Sequence, residues 1–204
     1  MTRKAVAVRR EEIVLAALDQ VRTRGIAGVR AADVAKALDV STALIFYHFG
    51  TLEALIIEAF RQAAERNLAV LRDELARPGP AGERLRSVLV LYGPTEPTAG
   101  WHLWIEAGAA AMRDAELREV VQRLDLRWRD AVFSLITEGV AAGEFRCADP
   151  HGAAWRLTAL LDGLAVQFVA REGTVTADDC ARWVGQALAH ELGETEPALT
   201  AEGR

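Results

Sequence analysis

A cluster of donor and aromatic side chains lies in the segment VSTALIFYHFG, residues 40–50. Tyr47 and His48 can donate hydrogen bonds to phosphate oxygens, and the ring of Phe46 can contact the methyl group of a thymine. Residues 41–43 are small, so the start of a helix here can approach a phosphate or a base edge closely. These residue types predict a surface that binds nucleic acid.

The spacing of the residues in this segment indicates how a helix would position them. Ser41, Ile45 and Phe49 are four residues apart, so they share one helical face, which is predicted to be buried. A short helix at about 31–38 precedes this one after a short turn, which is the spacing of a helix-turn-helix. The same spacing also fits a helical hairpin packed inside a larger bundle.

A second group of residues has the composition of a small-molecule pocket. All five tryptophans lie beyond residue 100, and a glutamate lies on the same predicted helix as two of them. Aromatic walls with one or two polar anchors suit an apolar or cationic ligand; the alternative is that the tryptophans are ordinary core residues. The candidate pocket residues are Trp101, Trp104, Ile105, Glu106, Met112, Trp128 and Trp155.

His102 and Glu106 are four residues apart, the spacing at which an acid–base or metal-binding pair shares a helical face. Two side chains are too few for a metal site, and no third ligand is suggested nearby. The sequence contains no GxSxG, P-loop, dinucleotide-binding glycine pattern or HExxH motif. We therefore expect no enzyme activity, no metal and no cofactor.

The elements that carry these residues are predicted to be helices throughout. Apolar residues recur at helical spacing along the chain, and no segment has the pattern of a strand. Ser41, Thr51, Asp149 and Thr176 are typical N-cap residues and mark the starts of four helices. We predict an all-α chain of about nine helices, followed by a disordered tail over residues 194–204.

Charge is unevenly distributed along the 204 residues. The net charge is −5, yet residues 1–50 hold eight basic and five acidic side chains, a net charge of +3. This asymmetry indicates an N-terminal segment that meets an anion. Cys147 and Cys180 have no metal or redox spacing, and no apolar run approaches the ~18 residues of a membrane span. The expectation is a cytoplasmic protein without a membrane partner.

Residues 10–55 resemble the DNA-binding domain of the TetR family of transcriptional repressors. The matching segments are IVLAALDQVRTRGIAG, DVAKALDVS and IFYHFGTLEAL, the last of which carries the most specific signature. The resemblance implies a helix-turn-helix DNA-binding domain over residues 1–50 and a helical effector-binding and dimerisation domain over 51–193. The candidate DNA contacts are Arg30, Lys36, Ser41, Thr42, Ala43, Leu44, Phe46, Tyr47 and His48.

The resemblance also implies a mode of action. A homodimer, formed through the last two long helices at about 152–170 and 177–192, would bind a palindromic operator in double-stranded DNA. A small-molecule effector would then release it, as in a ligand-responsive repressor. The segment WHLWIEAGAAAMRDAELR is similar to effector domains of choline- and betaine-responsive members, and the identity of the ligand stays open.

This chain departs from the family pattern at several DNA-facing positions. Leu44, Phe46 and Leu52 stand where polar residues are usual, and Arg30 replaces the usual N-cap of the second helix. Each lost phosphate contact weakens binding and lowers its salt dependence, so a weaker or unusual operator preference is expected. The other interpretation is a ligand-binding helical dimer without a DNA function.

Overall fold

The computed structural model describes residues 3–94, 99–171 and 173–193, with side chains described except at 3–7 and 99. Within these ranges the chain forms nine α-helices and one 3-10 turn, with no strand, which confirms the predicted all-α class. The predicted disordered tail, 194–204, lies outside the described residues. The elements are α1 (Arg3–Arg24), the 3-10 turn (Ile26–Gly28), α2 (Ala31–Ala37), α3 (Thr42–Phe49), α4 (Leu52–Ala76), α5 (Ala81–Tyr92), α6 (Ala99–Ala111), α7 (Ala115–Ala142), α8 (Pro150–Ala170) and α9 (Ala177–Leu192).

Packing divides the chain into two compact units. The first consists of Met1–Asn67 and His102–Arg123, and the second of Leu68–Trp101 and Leu124–Arg204. Helices α4, α6 and α7 each contribute residues to both units. These units are defined by packing, whereas the division predicted between residues 50 and 51 separates a DNA-binding domain from an effector-binding domain. That functional division stays a prediction.

In the first unit, α1 packs on α2 and α2 packs on α3. Ile13 of α1, Val34 of α2 and Ile45 of α3 are fully buried, and burial of each such side chain stabilises the fold by about 1.5–3 kcal/mol. Ile45 therefore belongs to the buried face of α3, as its spacing predicts. The prediction is wrong for Ser41, which is exposed at the N-cap, and Phe49 is only half-buried near the end of the helix. The fixed core determines which face of α3 is left exposed.

The turn between α2 and α3 depends on local backbone chemistry. Asp39 has a φ of 53°, the left-handed region that Asp tolerates better than most residues. The Ser41 hydroxyl then accepts a hydrogen bond from the Leu44 N–H at 3.3 Å, which caps the start of α3. At the other end of α3, Gly50 has a φ of 75°, and Thr51 caps α4 by accepting from the Ala54 N–H at 3.1 Å.

In the second unit, α8 packs against α9. Asp149 caps α8 by accepting from the Gly152 N–H at 2.9 Å, and Thr176 and Asp179 form the capping box of α9. Leu157 and Leu161 of α8 and Leu188 of α9 are buried. Helix α8 also has the length and mean hydropathy of a membrane span, although 39% of its most apolar window is already buried within the protein.

Helix α5 is capped by a residue that is distant in sequence. The Glu144 carboxylate accepts hydrogen bonds from the Ala81 and Gly82 N–H groups at 2.9 and 2.8 Å. These two backbone bonds hold the pKa of Glu144 below its ordinary value. The start of α5 is thereby fixed against the end of α7, and α5 carries Tyr92 at its last position.

Candidate nucleic-acid interface and ligand site

Helix α3 exposes the face that the sequence predicts for DNA contact. The Tyr47 side chain is 79% exposed and Phe46 is 44% exposed. Thr42 and Ala43 at the start of the helix are also exposed, whereas Leu44 is half-buried. The structure therefore brings a short, largely uncovered row of small and aromatic residues to one side of a helix-turn-helix.

Three of the predicted DNA contacts have more particular surroundings. Ser41 is exposed but its hydroxyl is used to cap α3. Arg30 and Lys36 are exposed, and the Arg30 side chain makes no capping bond to α2. The half-buried ring of His48 lies 5.3 Å from the Tyr47 ring in an edge-to-face arrangement, and its Nε2 atom has no hydrogen-bond partner in the described part of the chain.

The end of α3 is held by a basic residue of α1. The Arg10 guanidinium lies 4.5 Å from the centre of the Phe49 ring and 3.3 Å from the Glu58 carboxylate of α4. Glu58 also pairs with Arg61 at 2.5 Å, and Arg61 pairs with Glu116 at 2.9 Å. This set of charges links α1, α3, α4 and the start of α7 within the first unit, so Arg10 is engaged inside the protein.

Three aromatic rings come together in the second unit. The ring of Tyr92 lies 5.7 Å from that of Trp101 in an edge-to-face arrangement and 5.1 Å from that of Trp128. Trp128 is only 4% exposed, so the group lies largely inside the protein. Aromatic faces carry partial negative charge, and a group of them attracts organic cations.

Two carboxyl groups lie among these rings. The Tyr92 hydroxyl donates to Asp162 Oδ1 at 2.6 Å. Burial raises the pKa of Asp125 to about 6, with a further contribution from the negative charge of Asp162 and an opposing one from Arg129. Burial also raises the pKa of Asp162, and burial and the Asp162 charge raise the pKa of Tyr92. Among the described residues, neither carboxylate forms an ion pair with a lysine or arginine.

The predicted pocket residues are found in three different places. Trp101 and Trp128 belong to the aromatic group just described. Trp155 is exposed on α8, where its ring stacks on the Arg129 guanidinium at 3.4 Å. The remaining members, Trp104, Ile105, Glu106 and Met112, belong to the first unit.

The four residues of the first unit have separate surroundings. The ring of Trp104 packs against Phe60 at 6.0 Å, and Ile105 is half-buried. The Glu106 carboxylate accepts a hydrogen bond from the Ile26 N–H at 2.5 Å, at the start of the 3-10 turn. Met112 is 71% exposed. Glu106 also lines an open cleft of about 290 Å³ with His102 and the end of α1.

Sequence reasoning missed Tyr92, Asp125, Asp162 and Arg129. A signal for two of them is present in α7, where Trp128 and Arg129 follow Asp125 by three and four residues, so each of them neighbours Asp125 on the helix surface. Asp162 is a single acid within the apolar segment LTALLDGLAVQF, and a charge in such a segment is rarely buried without a reason. In the described part of the chain, no group of three or more metal-binding side chains occurs.

Comparison with known proteins decides the family. The model of the tetR family of bacterial regulatory proteins matches residues 13–59. The model of the C-terminal region of BetI-type transcriptional repressors matches residues 81–193, more than half of the chain. The chain belongs to the TetR family of transcriptional regulators. Members of this family are regulators and not enzymes, which confirms both the resemblance and the absence of an enzyme function predicted from the sequence.

Individual relatives of this TetR-family regulator agree with the assignment. The transcriptional regulator BetI of Paraburkholderia xenovorans is 28% identical over 200 residues, covering 94% of this chain and 88% of the relative. The regulator CymR of Pseudomonas putida is 28% identical over 156 residues, covering 76% and 77% of the two chains. A transcriptional regulator from Saccharomonospora viridis, crystallised in complex with choline, superposes with a TM-score of 0.86 at 26% identity, covering 91% and 98%.

Proposed function

We propose that this TetR-family regulator is a cytoplasmic, ligand-responsive repressor whose effector is a quaternary ammonium cation of the choline type. As a homodimer it binds a palindromic operator, and the cation releases it from DNA. The observation that carries the choice of ligand is the pair of half-buried carboxyl groups, Asp125 and Asp162, beside the aromatic group of Tyr92, Trp101 and Trp128.

The aromatic site has the chemistry that a quaternary ammonium group requires. Such a cation cannot donate a hydrogen bond, so it is bound by aromatic faces and by the charge of nearby carboxylates. Ionisation of Asp125 and Asp162 is opposed in the free protein because each is half-buried and, among the described residues, has no cationic partner at ion-pair distance. A bound cation offsets that cost. The choline complex of the Saccharomonospora viridis protein supports the same ligand class.

The exposed face of α3 supports operator binding. Two copies of α3 in successive major grooves would lie about 34–36 Å apart, which fixes the spacing of the half-sites. Tyr47 supplies a donor for a phosphate, while Phe46 supplies an apolar contact to base edges. Half-buried Leu44 and Leu52 add no phosphate contact, so the salt dependence of binding is expected to be shallow.

The dimer is supported by uncovered apolar residues on the last two helices. Val166 of α8 and Trp183 of α9 are 41% and 38% exposed, although both helices bury their opposite faces in the second unit. Ala159 and Gly163 lie on the same exposed side of α8 and allow close approach of a second helix. A four-helix interface between two copies would cover these residues.

The experiment is a gel-shift titration on DNA upstream of the gene, at two salt concentrations, with and without choline. We expect a sequence-specific shift that choline reverses. Tyr47→Ala should weaken operator binding by roughly tenfold or more, as loss of a phosphate or base contact does. The control Met112→Ala removes another exposed side chain, which does not belong to α3, and should bind DNA normally. A shift that is absent at low salt would exclude the repressor.

The proposed ligand is tested by a substitution that removes a negative charge but keeps the size of the side chain. Asp162→Asn keeps an acceptor for the Tyr92 hydroxyl but removes the negative charge. The variant should bind the operator like the wild type and need at least roughly tenfold more choline for release. Asp130→Asn, an exposed position on α7, is the matched control. Equal choline responses of the two variants would contradict the site.

A further inference from the structure

Arg129 occupies a particular position beside the proposed ligand site. It follows Trp128 directly on α7 and lies one helical turn after Asp125. Its positive charge acts on Asp125, Asp162 and Tyr92, opposing the rise in pKa of all three. Arg129 therefore acts electrostatically on each of the three polar groups of the site, while its own ring contact is with Trp155 and not with the three rings proposed to bind the cationic head.

Stacking fixes the orientation of the Arg129 guanidinium. Its central carbon lies 3.4 Å from the centre of the Trp155 ring. A guanidinium that stacks on a ring uses its faces for that contact and leaves its N–H groups, which lie in the plane, for acceptors at its edge. The Arg129 Nε atom is buried and has no hydrogen-bond partner among the residues that the structure describes. A buried donor of this kind is costly unless an acceptor reaches it.

The two carboxylates do not supply that acceptor. Asp162 accepts from the Tyr92 hydroxyl, and no ion pair joins Arg129 to Asp125 or Asp162 in the part of the chain that the structure describes. We propose that Arg129 determines ligand specificity, its Nε–H donating to an uncharged oxygen that the ligand carries beside its quaternary ammonium head. This inference rests on the proposed function, because it assumes that the cationic head lies among Tyr92, Trp101 and Trp128.

The oxygen is assigned as uncharged because the site already contains two carboxyl groups. A carboxylate on the ligand would add a third negative charge next to Asp125 and Asp162, whose ionisation burial already opposes. A hydroxyl or ether oxygen accepts from Arg129 without that repulsion. The site is therefore expected to prefer an alcohol of a quaternary ammonium compound both to its alkyl analogue and to the zwitterion that bears a carboxylate.

The test uses two pairs of cations that differ only in the oxygen. Choline is compared with propyltrimethylammonium, in which a methyl group replaces the hydroxyl, and the methyl ether of choline is compared with butyltrimethylammonium. Titration calorimetry on the full chain should show that each oxygen compound binds roughly tenfold or more tightly than its alkyl partner. Glycine betaine should bind more weakly than choline.

The ether pair separates Arg129 from a carboxylate as the group that recognises the oxygen. An ether oxygen accepts hydrogen bonds but cannot donate one. If Asp125 or Asp162 accepted from the ligand hydroxyl instead, only the choline pair would differ, and the proposal would be overturned. Betaine binding as tightly as choline would overturn the assignment of an uncharged oxygen.

Substitution of Arg129 tests the same point from the side of the protein. Arg129→Met keeps much of the apolar length of the side chain but removes its donors. The ratio of the affinity of each oxygen compound to that of its alkyl partner should therefore fall to about one. Affinity for propyltrimethylammonium should stay within a few-fold, which shows that the variant is folded and its aromatic site intact. Arg127→Met, an exposed position two residues earlier, should keep both ratios. Ratios unchanged in Arg129→Met would overturn the proposal.

Failure of this inference can be distinguished from failure of the proposed function. If the wild type binds all four cations with similar affinities, the result supports the aromatic cation site but contradicts the proposed role of Arg129. If none of the cations binds, the proposed ligand class and the role of Arg129 are both wrong.

Discussion

Asp125 is a carboxyl group in surroundings that oppose its charge. Its pKa is raised to about 6 by burial and by the negative charge of Asp162. A proton and a cationic ligand therefore compete for the ionised carboxylate of Asp125. Because the ionised form binds a cation better, choline affinity should be constant above about pH 7 and fall roughly tenfold by pH 5. Of the other charged groups that act on Asp125, Arg129 opposes the shift, and Asp162 titrates in the same direction because burial also raises its pKa.

Titration of tryptophan fluorescence with choline between pH 5 and 8 measures this dependence. In Asp125→Asn the affinity should be lower and should vary less over the same range, since one of the two titrating carboxyls is gone. A wild-type affinity that does not change between pH 7 and 5 would show that Asp125 is not coupled to the ligand.

Gly25 combines two constraints at one residue. Its φ of 71° and ψ of 164° belong to a region that is open almost only to glycine. A Cβ atom here would also lie 2.6 Å from Glu106 Oε1, the carboxylate that accepts from Ile26. Gly25→Ala should therefore lower the free energy of unfolding by about 2–4 kcal/mol, through backbone strain and loss of that hydrogen bond.

Comparison with Gly50→Ala separates the effect of the Glu106 contact from the cost of a positive φ. Gly50 has a similar φ of 75°, but a Cβ atom there would meet nothing within 4 Å. Urea unfolding at equal protomer concentration should show that Gly25→Ala is the more destabilising change by at least about 1 kcal/mol. Equal losses would mean that the Glu106 contact does not contribute.

At the scale of the elements, α3 depends on α1 for the position of its last turn. The Arg10 guanidinium contacts both Phe49 of α3 and Glu58 of α4, whereas the ion pair described for the neighbouring Arg9 is with Glu12, one turn along its own helix. Arg10→Met should lower the free energy of unfolding by about 1 kcal/mol, and Arg9→Met by less than about 0.5 kcal/mol. Unfolding curves of the two variants measure the difference; equal curves would contradict a role for Arg10 in holding α3.

Several element boundaries could be predicted because their causes are local. Ser41, Thr51, Asp149 and Thr176 act within three residues of their own helices, so the sequence alone indicates them. The cap of α5 could not be predicted, since Glu144 lies more than sixty residues from the N–H groups that it accepts from. For the same reason the hydrogen bond that Glu106 accepts from the Ile26 N–H, eighty residues earlier, could not be predicted.

At the scale of the whole molecule, the proposed function as an operator-binding repressor requires two copies. Val166→Glu places a charge on the exposed side of α8 that is proposed to meet the second copy, and should convert the protein to a monomer with operator affinity lowered roughly a hundredfold or more. Sedimentation velocity and gel shift measure these two effects. Val70→Glu makes the same change at an exposed valine of α4 and should leave a dimer. A dimeric Val166→Glu would contradict the proposed interface.

The architecture was far more predictable than the ligand site. Helical spacing and caps are repeated along the whole sequence, so the all-α fold and the exposed face of α3 follow from it. The proposed ligand site draws Tyr92, Asp125 and Asp162 from three helices, and their proximity depends on how those helices pack. A tryptophan pattern alone could therefore indicate Trp101 and Trp128 but not the carboxyl groups that define the chemistry.

The apolar composition of α8 has a consequence for synthesis of the chain. Its buried face is covered by α9, which leaves the ribosome only after about twenty more residues have been added. At typical rates of elongation, a segment with the length and hydropathy of a membrane span therefore lacks its partner for roughly one to four seconds. During that interval the apolar face of α8 is uncovered, and slow translation after α8 would lengthen the exposure.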